Sequence, residues 1–121
     1  MIVTLMFALN FYSDLYEEVL RTGRKSATIR LGDKSDKYQD GMVVWVTLGP
    51  RFARRQKLYT AILDRVEVKT IEELSPRDIE RENSECRSQD DIIALLSRIY
   101  GEFITPQHLV TVIYFSRIDE F

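Results

Sequence analysis

One cysteine and one histidine are all that the 121 residues offer as thiolate or imidazole ligands. That excludes an internal disulfide and any Cys/His set with the spacing of a structural zinc site, so neither a metal nor another cofactor is expected. Long hydrophobic runs are missing too: nothing approaches the roughly 20 apolar residues that a membrane-spanning helix needs, and no membrane partner is expected. The apolar opening, residues 1–8, has no basic leader and is followed at once by the charged stretch Asp14 to Arg24. This is unlike a secretory signal, and cytoplasmic residence is the expectation. Charge of one sign is not in excess either, since 17 Lys and Arg stand against 19 Asp and Glu, a formal net charge of -2. The field of the whole molecule will not draw in a polyanion, so any contact with nucleic acid must be local. Repeats, low-complexity segments and long linkers are absent, and the length suits one domain over 1–121.

What is present is a balanced 45% of hydrophobic and 30% of charged residues, enough apolar surface to fold alone. Met1 to Ala8 reads as a buried strand, and Asn10 as the cap of a helix over Phe11 to Thr22 that presents Tyr12, Leu15, Tyr16, Val19 and Leu20 on one face and stops at Gly23. Ser26 to Leu31 alternates, with Ala27, Ile29 and Leu31 towards a core and Thr28 and Arg30 on the other face. The polar segment Gly32 to Gly41 is a loop. Met42 to Leu48 and Leu58 to Val68 read as antiparallel strands joined by the basic link Arg51 to Lys57. Thr70 to Leu74 makes a short turn. Ser75-Pro76 opens a helix to about Asn83, Ser88 caps another that ends at Gly101, and Leu109 to Ile118 closes the chain as a strand. This order indicates an α+β domain around a largely antiparallel sheet or barrel, without deciding between the two.

The segment Gly23-Arg24-Lys25-Ser26-Ala27-Thr28-Ile29-Arg30, directly after the first helix, resembles the opening motif of ASCH domains. The likeness is to the small bacterial N4-acetylcytidine amidohydrolase branch, in which Gly-Arg-Lys ends a helix and leads into Thr-Ile-Arg. Ile79-Glu80-Arg81-Glu82-Asn83, with the following helix ending Ile99-Tyr100, is similar to the acidic helix pair of the same branch. The resemblance implies a PUA-like, mainly antiparallel β-barrel with flanking helices, and hydrolysis of the acetyl amide of a modified cytidine. It also implies roles: Lys25 the base, Thr28 the nucleophile and Glu82 the acid that protonates the leaving amine. The basic link is longer than in that branch, and the loop Gly32 to Gly41 differs in composition.

The chemistry sets its own demands. A threonine hydroxyl needs a base beside it, and a lysine serves only if burial or a neighbouring cation lowers its pKa; Arg24 and Arg30 are the available cations. A carboxyl donates a proton near neutrality only when desolvated. Residues three apart on a strand face opposite ways, so Lys25 must lie before the strand, on a turn allowed by Gly23. Arg24, Arg30 and Tyr100 are the candidates for binding substrate, the first two as forked donors and the last as a stacking ring.

Plainer roles compete throughout. Gly-Arg-Lys after a helix commonly complements the helix dipole. The cluster Asp78, Glu80, Arg81, Glu82 and Glu85 suits a solvated helix face, and Trp45, Tyr100 and Tyr114 suit core packing as well as base stacking. Arg51, Arg54, Arg55 and Lys57 suit either a phosphate-contacting hairpin tip or a soluble loop. His108 reads as structural or exposed, and Cys86 as a neutral thiol. The expected partner is a modified nucleoside or RNA. The alternative to the amidohydrolase is an RNA-binding ASCH module, with or without ribonuclease action. The sequence does not fix an oligomeric state.

Overall fold

The computed structural model describes residues 7–13, 16–50 and 54–118. Along them run β1 (Ala8–Phe11), α1 (Glu17–Arg21), β2 (Ala27–Leu31), β3 (Val43–Leu48), β4 (Gln56–Thr70), a 3-10 turn (Ile71–Glu73), α2 (Pro76–Glu82), α3 (Gln89–Tyr100) and β5 (Leu109–Ile118). Local chemistry accounts for the later boundaries. Ser75 accepts from the Asp78 backbone N–H with Pro76 in the first turn, and Ser88 accepts from that of Asp91. Gly101 closes α3 at φ +65°, a conformation that costs a residue without Cβ nothing.

The start of the chain departs from the pattern reading. Most of the strand expected over Met1 to Ala8 lies outside the described residues, and β1 itself occupies Ala8–Phe11, running on through the expected cap Asn10 to Phe11, the expected first helical residue. Asn10 is no helix cap. Its side chain is buried, donating through Nδ2 to Gly49 O (3.0 Å) and accepting from the Thr47 hydroxyl (2.8 Å). A parallel ladder to β3, with Ala8 opposite Trp45 and Phe11 opposite Leu48, supplies the backbone bonds that outweigh the helical spacing. The helix shrinks to Glu17–Arg21.

The five strands lie in the order β1-β3-β4-β5-β2. Three neighbouring pairs are antiparallel and only β1–β3 is parallel, so the sheet is mixed but mainly antiparallel, and it curves into a half-barrel. Register shifts at Val46/Thr47 and at Leu63/Arg65 let the long β4 bend while pairing with both neighbours. One core fills the concave side, around Leu9, Phe11, Val46, Leu63, Ile113 and Phe115. The other lies between the convex side and the helices, around Ile29, Ile79, Ile92, Leu96, Val110 and Val112. β5 feeds both by strict alternation. The same alternation on β2 sends Ile29 to the helical side and Thr28 and Arg30 to the concave side. Thr28 is consequently as buried as Ile29, although it is not on the face read as the core.

Candidate active site in the seam between the edge strands

β1 and β2 are the two edges of the half-barrel, and side chains bridge the seam between them. Arg30 donates from Nη2 to Asn10 O on β1 (3.0 Å) and from Nε to the Thr28 hydroxyl (3.0 Å). Its guanidinium lies 4.9 Å from the centre of the Phe11 ring. Lys25 Nζ stands 5.5 Å from the same ring centre and 5.1 Å from that of Tyr16. Phe11 thus forms a common floor for both cations, and the attraction of a ring face for positive charge holds them there.

Lys25 precedes β2, as the strand geometry demands. Gly23 turns the chain at φ +77°, and the Lys25 backbone N–H returns to Val19 O at 2.9 Å. The Lys25 side chain is only 2% exposed and its ammonium meets three acceptors: Ala27 O (2.9 Å), Glu82 O (2.6 Å) and Glu82 Oε1 (2.8 Å). Glu82 ends α2, and its second oxygen accepts from the Ile29 backbone N–H at 2.6 Å.

These contacts have a structural logic as well. Ser26 O accepts from Phe115 N, so by antiparallel alternation Thr28 and Arg30 direct their backbone groups to β5 while Ala27, Ile29 and Leu31 direct theirs to the open edge. Lys25 takes Ala27 O, Glu82 takes Ile29 N, and the Tyr100 hydroxyl takes Leu31 N at 3.3 Å. An edge that would otherwise be unpaired is closed by side chains.

Burial is the chief influence on Lys25 and lowers its pKa. The Glu82 carboxylate opposes this without overcoming it, and Arg30 adds to the lowering. Tyr16, half-buried beside the pair, has its phenol pushed up to about 12 by burial and then by the Glu82 charge. Burial likewise raises the Cys86 thiol, which stays neutral near pH 7.

Lys25, Glu82, Arg30 and Thr28 therefore gather around Phe11. The bonds that Lys25 Nζ and the Thr28 hydroxyl form are to other groups, not to each other. Arg24 is outside the cluster: it is exposed, paired with Glu18 at 3.0 Å, and the cation that acts on Lys25 is Arg30. Tyr100 sits at the far end of the β2 edge, 38% exposed. Within α2, Asp78 and Glu82 turn inward while Glu80 and Arg81 face solvent, and Glu85, exposed too, lies beyond the helix, so the cluster is not one solvated face. Tyr114 donates to Asp78 Oδ1 (2.5 Å), and His108 Nδ1 accepts from Thr105 N (3.0 Å). Trp45 lies on the convex side, 42% exposed, with Lys57 Nζ 5.4 Å from its ring centre. Pattern reading missed Phe11, placed in a helix, and gave Tyr16 only a packing role; no local signal marks either.

Among the described residues no helix is long and apolar enough to cross a membrane. No protein-family profile and no curated protein matches the chain. Solved structures do. Protein EF3133 from Enterococcus faecalis, of the DUF984 family, is 18% identical with a TM-score of 0.68, over 97% of this chain and 83% of that one. Hypothetical protein PH0355 is 16% identical with a TM-score of 0.67, over 94% of this chain and 100% of that one. An ASCH domain from Lactobacillus crispatus is 15% identical with a TM-score of 0.63, over 93% of this chain and 79% of that one. Likeness at such identities speaks to architecture, and the half-barrel with its flanking helices is the ASCH-type, PUA-like fold.

Proposed function

We propose that the seam hydrolyses the acyl amide of N4-acetylcytidine or a related modified nucleoside. The observation that carries this reading is the Lys25–Glu82 pair, 2.8 Å apart and almost wholly withdrawn from water, with the lysine pKa lowered. A proton passed along that bond from Nζ to Oε1 leaves a neutral amine and a carboxylic acid side by side, a base and an acid in one site. The amine then takes the Thr28 proton as Oγ1 attacks the acyl carbon. The amide C–N bond breaks, the cytidine N4 takes the proton from Glu82, and water later releases acetate from the acyl-threonine. In the structure Thr28 accepts from Arg30 and Lys25 is engaged with Glu82 and Ala27. The base–nucleophile bond thus has to form on substrate entry, as catalytic hydrogen bonds commonly do.

The test is incubation of the pure protein with N4-acetylcytidine, following release of cytidine. Thr28→Ala should remain folded and lose at least about 10²-fold in kcat/KM, with Thr28→Ser intermediate. Lys25→Arg keeps charge but no base near neutrality, and should fail nearly as badly as Lys25→Ala. Wild-type turnover in a folded Thr28→Ala protein would overturn the reading.

A second reading, an RNA-binding module, is favoured by one specific observation. Trp45 is exposed on the convex side under Lys57, and Arg54 and Arg55 are exposed nearby in sequence. Ring and cations are what a single strand needs for base stacking and phosphate contact. Absence of deacetylation, together with tight RNA binding that falls steeply with salt and is lost in Trp45→Ala, would favour it.

A further inference from the structure

Much of the Lys25–Arg30 cluster is bonded within the protein. Lys25 spends its three protons on Ala27 O, Glu82 O and Glu82 Oε1. Arg30 gives its Nε–H to Thr28 and one Nη2–H to Asn10 O. Tyr16 adds a donor from a different element, just ahead of α1. Its ring is held by Phe11, with centroids 5.9 Å apart, and by the Lys25 ammonium 5.1 Å away. Its hydroxyl has no hydrogen-bond partner among the described residues. Because no buried side-chain polar atom there lacks a partner, that hydroxyl reaches solvent. A ring packed against Phe11 and Lys25 therefore carries a solvent-reaching O–H in the neighbourhood of the amine and carboxylate that would do the proton transfers.

Attack on an amide needs such a group, because negative charge develops on the acyl oxygen and must be met by a donor already in place. We infer that Tyr16 is a further catalytic residue, its hydroxyl donating to the acyl oxygen of the bound N4-acylated nucleoside; this rests on the amidohydrolase reading above. The phenol, raised to about 12, stays protonated and able to donate throughout the neutral and mildly alkaline range.

The contact is specific to the acyl group, so it can be separated from nucleoside binding and from turnover. Calorimetric titration of Thr28→Ala and of the double variant Tyr16→Phe/Thr28→Ala with N4-acetylcytidine and with cytidine reads it directly. Loss of the hydroxyl should weaken N4-acetylcytidine binding about 10-fold and leave cytidine binding unchanged. In the otherwise wild-type protein, Tyr16→Phe should lower kcat about 10²-fold with an unaltered melt, since the ring that packs on Phe11 and Lys25 is retained. Equal affinities, or equal losses for both nucleosides, would overturn the inference, as would full turnover by Tyr16→Phe in a protein whose wild type hydrolyses the substrate. If wild type binds N4-acetylcytidine without hydrolysing it and the acyl-specific loss persists, hydrolysis is refuted and the Tyr16 contact stands. If neither nucleoside binds, both are refuted.

Discussion

Helix α2 carries two buried carboxylates one turn apart, Asp78 and Glu82, each facing a lysine at nearly the same distance: Lys69 at 2.9 Å and Lys25 at 2.8 Å. The two pairs behave differently. Lys69 keeps 17% of its side chain in contact with solvent and reaches a second carboxylate, Glu67, at 3.0 Å. Burial would lower its pKa, but the carboxylates outweigh burial and raise it. Burial would raise the Asp78 carboxyl, but bonds from Tyr114, Ser75 N and Lys69 outweigh that and hold it below the usual range. Lys25 has one carboxylate, almost no solvent, and Arg30 close enough to repel it, so burial prevails and its pKa falls. Pairing alone does not decide how a buried lysine titrates; the number of counter-charges and the remaining access to water do. Asp78 and Lys69 make a cap and a brace, whereas Lys25 and Glu82 make a pair in which burial outweighs the counter-charge and holds the lysine pKa down.

The difference is easiest to break at Glu82. Glu82→Ala strands the Lys25 charge and leaves Ile29 N without its acceptor, which should cost about 3–5 kcal/mol in urea denaturation. Lys25→Met with Glu82→Leu should recover part of that loss, because the stranded charge is gone while Ile29 N still lacks its acceptor. Asp78→Ala should cost less, about 1–3 kcal/mol, since Lys69 can still turn to Glu67 and to water. Equal losses at the two positions would contradict the distinction drawn between the pairs.

Titration of stability sharpens it further. Lys25 is held below the ordinary lysine value of 10.5, so between its folded value and 10.5 the unfolded chain binds the extra proton and stability should rise with pH. Lys69 is held above 10.5, so its contribution is complete below that value and is lost as pH climbs through its folded value. Denaturation across the alkaline range should show the rise disappear in Lys25→Met and the later fall disappear in Lys69→Met. In acid, the Asp78 contribution is complete above the ordinary 3.8 and is lost as pH falls through its lower folded value. The stability gap between wild type and Asp78→Asn should therefore close below pH 3.8. The smallest change belongs to Arg24→Ala, whose exposed pair with Glu18 should be worth less than about 0.5 kcal/mol by the same denaturation.

Where the controlling interactions are local, the sequence by itself determined the structure. Ser75-Pro76 and Ser88 open α2 and α3 because a cap bonds within its own first turn, and Gly23 and Gly101 permit the turns that follow α1 and α3. β5 occupies Leu109–Ile118, the span its β-branched residues mark out. The two-residue period, with the demand that Lys25 and Thr28 share a face, also placed Lys25 on a turn before its strand. Only the tertiary structure decided the rest. Asn10 and Phe11 joined a strand because β3, distant in sequence, offered a parallel ladder. Asp78 and Glu82 turned inward while Glu80 and Arg81 did not, because the 3.6-residue period makes faces but packing against β2 chooses which one is buried. Arg30 rather than Arg24 became the neighbour of Lys25, since curving the sheet brought β2 within reach of β1. Charges and hydrogen bonds act over a few ångströms, and only the fold sets which residues distant in sequence come that close.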